Sequence, residues 1–283
     1  MNYISIDNIS KAFSDKLLFE NISKKNKKGE KTALVAANGT GKSTMMKILV
    51  GKEESDKGSI SYNDNIRIGY LEQLPQFDPE FSIQDVISTG HTDIMNVIQR
   101  YENALQNHVD DNNISTKKEL EDAISQMDAL QAWSYEQRLK QLLYTFEITD
   151  LTQKIGTLSG GQVKRLALAL VLLDDPDILF LDEPTNHLDM GMIEWLEKYL
   201  TQSTKTLFMV THDRYFLDRV CNKIFELYQG TMYTHNGNYE YYVRKSRERE
   251  ENKRIAAERA GQLLKYELEW MRSTPQARTG KAK

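Results

Sequence analysis

The chain has 283 residues, of which 40% are hydrophobic and 28% charged, and its formal net charge is −4. This composition fits a globular protein with a sizeable core. The longest apolar run, 166–173, is far shorter than the roughly 20 residues that span a bilayer, and the N-terminus has no secretory signal pattern. The single cysteine, Cys221, cannot form an internal disulfide. We therefore expect a cytoplasmic protein without membrane spans.

Charge is distributed unevenly along the chain. Residues 244–283 contain 12 of the 37 basic side chains and 6 of the 41 acidic ones, a net charge of +6, whereas the other 243 residues carry −10. An acidic body with a basic tail indicates that any contact with nucleic acid is made by the tail. A solvated basic helix without a partner fits the same charge pattern.

The first 76 residues are predicted to be rich in strands. Alternating or apolar runs predict strands at 3–6, 16–19, 31–35, 59–62 and 66–71. Residues 43–50 have helical patterning and are followed by Gly51 as a C-cap. From 77 to 156 the pattern changes to longer helical stretches, such as 93–107 and 117–146. These stretches predict a helical insertion in a strand-rich frame.

Helices and strands alternate after residue 156. Helices are predicted at 161–173, 192–200 and 214–220, strands at 177–181 and 206–210, a hairpin at 224–227 and 231–233, and a long polar helix at 241–271. This alternation predicts an α/β fold with a largely parallel sheet and helices on both faces. We expect a domain over 1–243, made of a core lobe (1–76 and 157–243) and a helical subdomain (77–156), followed by a separate segment over 244–283.

A glycine-rich loop connects the third predicted strand to the first predicted helix. Its sequence is Ala36-Ala37-Asn38-Gly39-Thr40-Gly41-Lys42-Ser43, the pattern of a Walker A loop, whose backbone N–H groups bind phosphate oxygens. Lys42 is expected to reach the β- and γ-phosphates, Ser43 to hold Mg²⁺ and Thr44 to bond the α-phosphate. Ala36 replaces the usual first glycine, which is tolerable if its φ is negative. The expected ATP-binding residues of the loop are Asn38, Gly39, Thr40, Gly41, Lys42, Ser43 and Thr44.

Two carboxylates end an apolar strand at Asp182 and Glu183. The C-terminal edge of a parallel sheet is where α/β proteins bind ligands. Asp182 is expected to hold Mg²⁺ through water, and Glu183 to orient and polarise an attacking water molecule. Without the phosphate-binding loop, two solvated acids at a strand end would be the simpler interpretation.

A third segment, Leu158-Ser159-Gly160-Gly161-Gln162, precedes an apolar helix. Small residues at a helix N-terminus expose backbone donors and the positive end of the helix dipole, which suits phosphate. Five specified residues occur by chance in a chain of this size roughly once in a few thousand cases. This segment is therefore the most specific single signal in the sequence.

Together the three segments resemble the ATP-binding cassette (ABC) superfamily. The resemblance implies a P-loop NTPase fold with a mixed, largely parallel sheet, an antiparallel β portion, a helical subdomain and a C-terminal linker helix. It also implies that two cassettes meet head to tail, with each ATP between the Walker A loop of one and the signature loop of the other. Ser159, Gly160, Gly161 and Gln162 would then serve the opposite ATP site.

The same resemblance implies roles for single residues. Gln73 matches the Q-loop glutamine that senses Mg²⁺ and water, and His212 matches the switch histidine that contacts the γ-phosphate. Asp189 matches the D-loop, and Phe13 matches the aromatic residue that stacks on adenine, although a core position for Phe13 stays open. The expected catalytic residues are thus Glu183, His212 and Gln73, and the expected Mg²⁺ ligands are Ser43, Gln73 and Asp182.

Three further stretches resemble the ABC-F branch, whose members lack membrane domains and act on ribosomes. They are Asn186-His187-Leu188-Asp189, Thr211-His212-Asp213-Arg214-Tyr215-Phe216-Leu217-Asp218 and Asn236-Gly237-Asn238-Tyr239. Residues 244–283 resemble the start of the ABC-F linker, which approaches tRNA, and the RNA-contact candidates are Trp270, Arg272, Arg278 and Lys281. The compact helical insertion resembles the Uup-like subgroup.

We therefore expect ATP hydrolysis by one cassette of a twin-cassette protein that acts in translation. The partner would be a second cassette, supplied either by a C-terminal half or by head-to-tail self-pairing, so a single cassette is expected to be a weak ATPase. Two alternatives stay open: the ATPase subunit of a membrane transporter, and an ATP-gated nucleic-acid-binding module that hardly turns ATP over.

Overall fold

The computed structural model describes residues 2–13, 16–89, 92–111 and 113–273, with only the backbone of 272 and 273. Its strands are β1 (Asn2–Phe13), β2 (Lys16–Lys27), β3 (Lys31–Ala36), β4 (Lys57–Tyr62), β5 (Ile68–Leu71), β6 (Ile178–Asp182), β7 (Thr206–Val210), β8 (Lys223–Tyr228) and β9 (Thr231–Asn236). Its α-helices are α1 (Lys42–Leu49), α2 (Ile83–Ser88), α3 (Thr92–Asp110), α4 (Ile114–Ala129), α5 (Ala132–Thr145), α6 (Gly160–Leu173), α7 (Met190–Gln202), α8 (Arg214–Val220) and α9 (Tyr239–Ser273).

The strands form two sheets. A three-stranded antiparallel sheet has the order β2-β1-β4, and a six-stranded sheet has the order β5-β6-β7-β3-β8-β9. In the larger sheet all neighbouring strands are parallel except the last pair, β8 and β9. The predicted α/β fold, with a mixed and largely parallel sheet and an antiparallel portion, is confirmed.

Strand β6 is buried on both faces, which is why it reads as a continuous apolar run. Leu179 and Leu181 pack into a large core that continues into the helical subdomain. Ile178 and Phe180 pack on the other side, into a second core that contains α1 and the small sheet. The acids that end this strand are therefore held by packing on both sides.

The helical subdomain contains α2 to α5 and differs from the prediction in one respect. The stretch predicted as helical over 117–146 is two helices, because the chain turns at Gln131, which has the left-handed φ of 52°. Across this turn, the indole nitrogen of Trp133 donates to Asp128 at 2.7 Å. The turn lets α5 reverse and place Tyr135, Leu139 and Leu142 in the large core.

Helix α9 is 35 residues long, or about 52 Å at the usual rise of an α-helix. Its first turns dock on the β8–β9 hairpin. The carboxylate of Glu226 on β8 accepts hydrogen bonds from Arg249 and Ser246 of the helix, and it also pairs with His235 of β9 at 2.9 Å. The predicted start of the linker at 244 thus falls inside a continuous helix. Among the described residues, no helix is both long and apolar enough to cross a membrane.

Replacement of Arg249 by methionine is expected to lower the free energy of unfolding by about 3 kcal/mol, because it removes the guanidinium partner of a carboxylate that is only 4% exposed. Urea unfolding at neutral pH measures this loss. The matched control is Arg254→Met, since Arg254 pairs with Glu251 and Glu258 on the exposed side of the same helix. Equal losses in both variants would contradict the assigned role of Arg249.

The contribution of the Arg249–Glu226 ion pair to the free energy of unfolding should also depend on pH. Burial alone raises the pKa of Glu226, but the hydrogen bonds from Arg249 and His235 outweigh burial and lower this pKa below its ordinary value of 4.5. A carboxylate with a lowered pKa stabilises the fold above its unfolded-state pKa, and the contribution is lost as pH falls through the lowered value. The difference in the free energy of unfolding between wild type and Arg249→Met should therefore become smaller at acidic pH.

Candidate functional site

The phosphate-binding loop runs from the end of β3 to the start of α1. Gly39 and Gly41 have left-handed φ values of 72° and 98°, which side chains other than glycine rarely adopt. A Cβ on Gly41 would lie 2.9 Å from Cδ1 of Leu18, so this glycine is required by contact as well as by backbone. Ala36 has no positive φ and is the last residue of β3. The condition under which alanine replaces the first glycine of the pattern is therefore met.

Two lysine ammonium groups lie on this loop. Nζ of Lys42 donates to the carbonyl oxygens of Ala36 and Ala37, at 3.0 and 3.3 Å. Burial lowers the pKa of Lys42, and the nearby acids Glu183 and Asp182 oppose that effect. Nζ of Lys16 donates to the carbonyl of Gly39 at 2.8 Å. Lys16 was not among the predicted site residues, because no local pattern marks a lysine at the start of β2.

The loop borders a cavity of about 610 Å³ that gathers most of the predicted site. The carboxylates at the end of β6, the loop, and His212, two residues after β7, face the same space. Lining residues include Phe13, Lys16, Asn38, Gly39, Gly41, Lys42, Ser43, Thr44, Gln73, Asp182, Glu183 and His212. Of the predicted loop residues, Thr40 does not line it, and its hydroxyl donates to the carbonyl of Ala37 at 2.7 Å.

Asp182 has the features of a cation ligand. Its side chain is 2% exposed, and its Oδ2 atom is buried without a hydrogen-bond partner in the described part of the chain. Burial raises the pKa of Asp182, while a hydrogen bond with Ser43 and the charges of Lys164 and Lys42 act in the opposite direction. A buried carboxylate oxygen with a free lone pair beside a serine hydroxyl fits Mg²⁺, which prefers oxygen ligands.

Glu183 is held in a strained and well-supported position. Its φ is 51°, in the left-handed region, and its amide donates to the carbonyl of Val210 at 2.8 Å. Strained backbone of this kind persists only where the surrounding structure imposes it, often at functional sites. The amide of His212 donates to Oε2 of Glu183 at 3.2 Å, and Nε2 of His212 lies 3.5 Å from Oε1. The structure thus brings together the predicted acid and the predicted switch histidine.

Lys164 is a site residue that sequence analysis missed. It lies on α6 and is 2% exposed, which is rare for lysine. Its ammonium donates to the main-chain carbonyls of Glu72, Gln73 and Asp182. Burial lowers the pKa of Lys164 to about 8, against the opposing charges of Asp182, Glu183 and Glu72. The one available signal was a lysine on the apolar face of a predicted helix.

Gln73 and Phe13 lie at the edges of the cavity. Gln73 is exposed and follows β5, whose last residue pairs with β6 just before the acidic pair. Phe13, at the end of β1, is 51% exposed, and Nζ of Lys11 lies 5.4 Å from the centre of its ring. Phe13 is therefore not a core residue, and its ring is accessible from the cavity.

The signature segment is not part of this cavity. None of its four predicted residues is among the described residues that line the cavity. Ser159 caps α6, accepting from the amide of Gln162 at 3.3 Å, and the Gln162 side chain accepts from the amide of Ser159. A Cβ on Gly160 would meet nothing within 4 Å, whereas one on Gly161 would lie 3.3 Å from Cβ of His187. The signature segment is thus an open helix start next to the turn after β6.

Asp189 and Trp270 lie outside the cavity. Asp189 caps α7, where its carboxylate accepts from the amide of Met192 at 2.9 Å. Trp270, near the end of α9, is 65% exposed. The side chain of Arg272, together with Arg278 and Lys281, lies outside the described residues.

Residues 19–186 match the family model described as ABC transporter. Over its whole length the chain is 39% identical to "Uncharacterized ABC transporter ATP-binding protein YfmR" of Bacillus subtilis (strain 168), of which it covers 45%. Over 94% of its length it is 34% identical to "Energy-dependent translational throttle protein EttA" of Escherichia coli (strain K12), of which it covers 48%. The chain thus spans about half the length of the curated relatives it matches.

Solved structures show the same fold at low identity. An "ATP binding subunit of ABC transporter" superposes with a TM-score of 0.63 and 20% identity, over 83% of this chain and 90% of that one. A dimeric ATP-binding cassette, solved in a post-hydrolysis state with ADP and Pi, superposes with a TM-score of 0.57 and 22% identity, over 82% of this chain and 98% of that one. These likenesses concern the fold alone.

Proposed function

Because the chain belongs to the ABC transporter family of ATP-binding cassettes, we propose that it is one cassette of an ABC-F protein that hydrolyses ATP to ADP and phosphate and acts on the ribosome. The observation that carries the ATPase assignment is the convergence of Lys42, Asp182, Glu183 and His212 on one cavity. These residues come from three separate parts of the sequence. Each has the chemistry that phosphoryl transfer to water requires.

Each residue of the cavity has a distinct role in this proposal. The amides of Asn38 to Thr44 bind phosphate oxygens, Lys42 offsets charge on the β- and γ-phosphates, and Phe13 stacks on adenine. Glu183 orients the attacking water and accepts its proton, and His212, held against Glu183, contacts the γ-phosphate. Ser43, Asp182 and Gln73 would hold Mg²⁺, which when bound neutralises charge on the phosphates.

A second cassette completes the ATP site. The signature residues Ser159, Gly160, Gly161 and Gln162 form a helix start away from the cavity, with the first two exposed and the last two half-buried. Such a helix start suits a phosphate held by a partner. Asp189, in the D-loop, belongs to the same contact. The partner is a C-terminal half, since the relatives are about twice as long as this chain, or another copy in head-to-tail pairing.

The ribosome is proposed as the larger partner. Two observations support it: the relatives named as translational throttle proteins match nearly the whole chain, and α9 extends beyond the cassette in a basic segment. In this proposal residues 244–283 begin a linker that approaches tRNA, with Trp270, Arg272, Arg278 and Lys281 as RNA contacts. The compact insertion of α2 to α5 favours the Uup-like subgroup.

Co-sedimentation tests this proposal. The full-length protein carrying Glu183→Gln should pellet with ribosomes in ATP, because it holds the nucleotide without cleaving it, and should stay in the supernatant in ADP. The control, Lys42→Ala, should stay in the supernatant with either nucleotide. Equal co-sedimentation with ribosomes in ATP and in ADP would contradict the ribosomal role. Co-purification with a membrane protein would favour a transporter subunit instead.

A further inference from the structure

The ammonium group of Lys164 makes three hydrogen bonds in the interior of the cassette. It donates to the carbonyl oxygen of Asp182 at 2.9 Å, to that of Gln73 at 3.2 Å, and to that of Glu72. A lysine ammonium has three donors, so all of them are used. All three acceptors are main-chain atoms, which a substitution in those residues would not remove.

These contacts join three segments of the described chain through one side chain. Asp182 ends β6, and Glu72 and Gln73 follow β5, its parallel neighbour, with Leu71 opposite Leu181. Lys164 itself lies five residues after Ser159, in the first turns of the helix that carries the signature segment. One side chain thus connects the segments proposed to hold Mg²⁺ with the signature helix of the same chain.

A buried cation costs desolvation free energy, which an apolar side chain of the same length would avoid. A purely packing role therefore does not explain lysine here. The charge faces three acids, Asp182, Glu183 and Glu72, which oppose the effect of burial on it. The ammonium both fixes the carbonyls and offsets the negative charge that gathers at the strand ends.

We propose that Lys164 is a positioning residue for ATP·Mg²⁺, holding Gln73 and Asp182 in register and coupling them to the signature helix. In the proposed twin-cassette arrangement the signature segment serves the opposite ATP site. Lys164 would then connect the two sites through the interior of a single chain. This inference rests on the proposed function of the cavity.

The first test measures ATP affinity with and without Mg²⁺. All variants carry Glu183→Gln to prevent turnover, and isothermal titration calorimetry gives the ratio of the two dissociation constants. Lys164→Met keeps the length of the side chain and removes its donors, so the factor by which Mg²⁺ strengthens ATP binding should fall about tenfold. Lys164→Arg, which retains donors, should keep most of that factor. The matched control is Arg165→Met, since the neighbouring Arg165 pairs with Glu147 instead.

The second test examines the coupling between the ATP·Mg²⁺ site and the signature helix of the same chain. In the chain kept monomeric, as checked by light scattering, ATP with Mg²⁺ should slow hydrogen exchange at residues 160–164, and Lys164→Met should abolish this change. Thermal unfolding verifies that each variant is folded. If Lys164→Met does not fold, Lys164→Gln replaces it, because the amide keeps one donor group.

The outcomes distinguish a failure of the proposed ATP site from a failure of the role proposed for Lys164. If Mg²⁺ does not strengthen ATP binding even with Lys164 present, the proposed ATP site itself fails. If Mg²⁺ strengthens binding equally with Lys164 and with methionine, or if the exchange change persists in Lys164→Met, the role of Lys164 is overturned. A lower melting temperature with an unchanged Mg²⁺ effect would likewise reduce Lys164 to a structural residue.

Discussion

Glu183→Gln is expected to lower the rate of ATP hydrolysis by about 10²- to 10⁴-fold while ATP affinity stays nearly unchanged. The amide cannot accept a proton from the attacking water, and general-base catalysis contributes a factor of this size. Affinity should persist because the phosphate-binding loop does not include this side chain; Glu183 contacts His212 and the turn after β7 instead. Phosphate release in single-turnover conditions, with calorimetry for binding, measures the two effects separately.

The matched control is Glu197→Gln. Glu197 pairs with Arg219 at the surface, at 3.1 Å, and takes no part in the cavity. This variant should hydrolyse ATP at the wild-type rate. A collapse of ATP affinity in Glu183→Gln, or hydrolysis at the rate of the control, would contradict the role proposed for Glu183.

Lys42→Ala is expected to weaken ATP binding by about 3 kcal/mol, on the order of 100-fold in the dissociation constant. The change removes the ammonium group that is proposed to offset charge on the β- and γ-phosphates. Truncation should cost little stability, because the hydrogen bonds of the ammonium are to carbonyls of the loop itself. Calorimetric titration with ATP and Mg²⁺ measures the loss.

Lys57→Ala serves as the control, because Lys57 is exposed on β4 and does not line the cavity. Its affinity for ATP should equal that of the wild type. Unchanged affinity in Lys42→Ala would overturn the Walker A assignment of the loop. Unchanged melting temperatures in both variants would show that the difference arises in binding and not in folding.

The parts of the fold and site that depend on local patterns could be predicted from sequence. The loop from Ala36 to Ser43 carries its own turn residues, and β6 carries its own apolar run and acidic end. Because parallel strands end at the same sheet edge, a sequence with both patterns predicts that loop and acids meet. The cavity does bring Lys42 and Glu183 together.

Features that depend on distant contacts could not be predicted. Lys164 and Glu72 are 92 positions apart, and Lys16 reaches the carbonyl of Gly39 only because β2 lies over the loop. The turn at Gln131 carries neither glycine nor proline, so no breaker signalled that 117–146 would divide into two helices. The reversal places Tyr135, Leu139 and Leu142 in the large core, a packing contact that no local pattern announces.

The ion pair between Glu226 and Arg249 anchors α9 on β8, the neighbour of the edge strand β9 in the large sheet. Strand β8, which carries Glu226, pairs with β3 up to Ala36, where the phosphate-binding loop begins. From Arg249 to the last described residue the helix extends about 36 Å. Because of this length, a tilt of about 10° at the ion pair would displace the far end of α9 by about 6 Å.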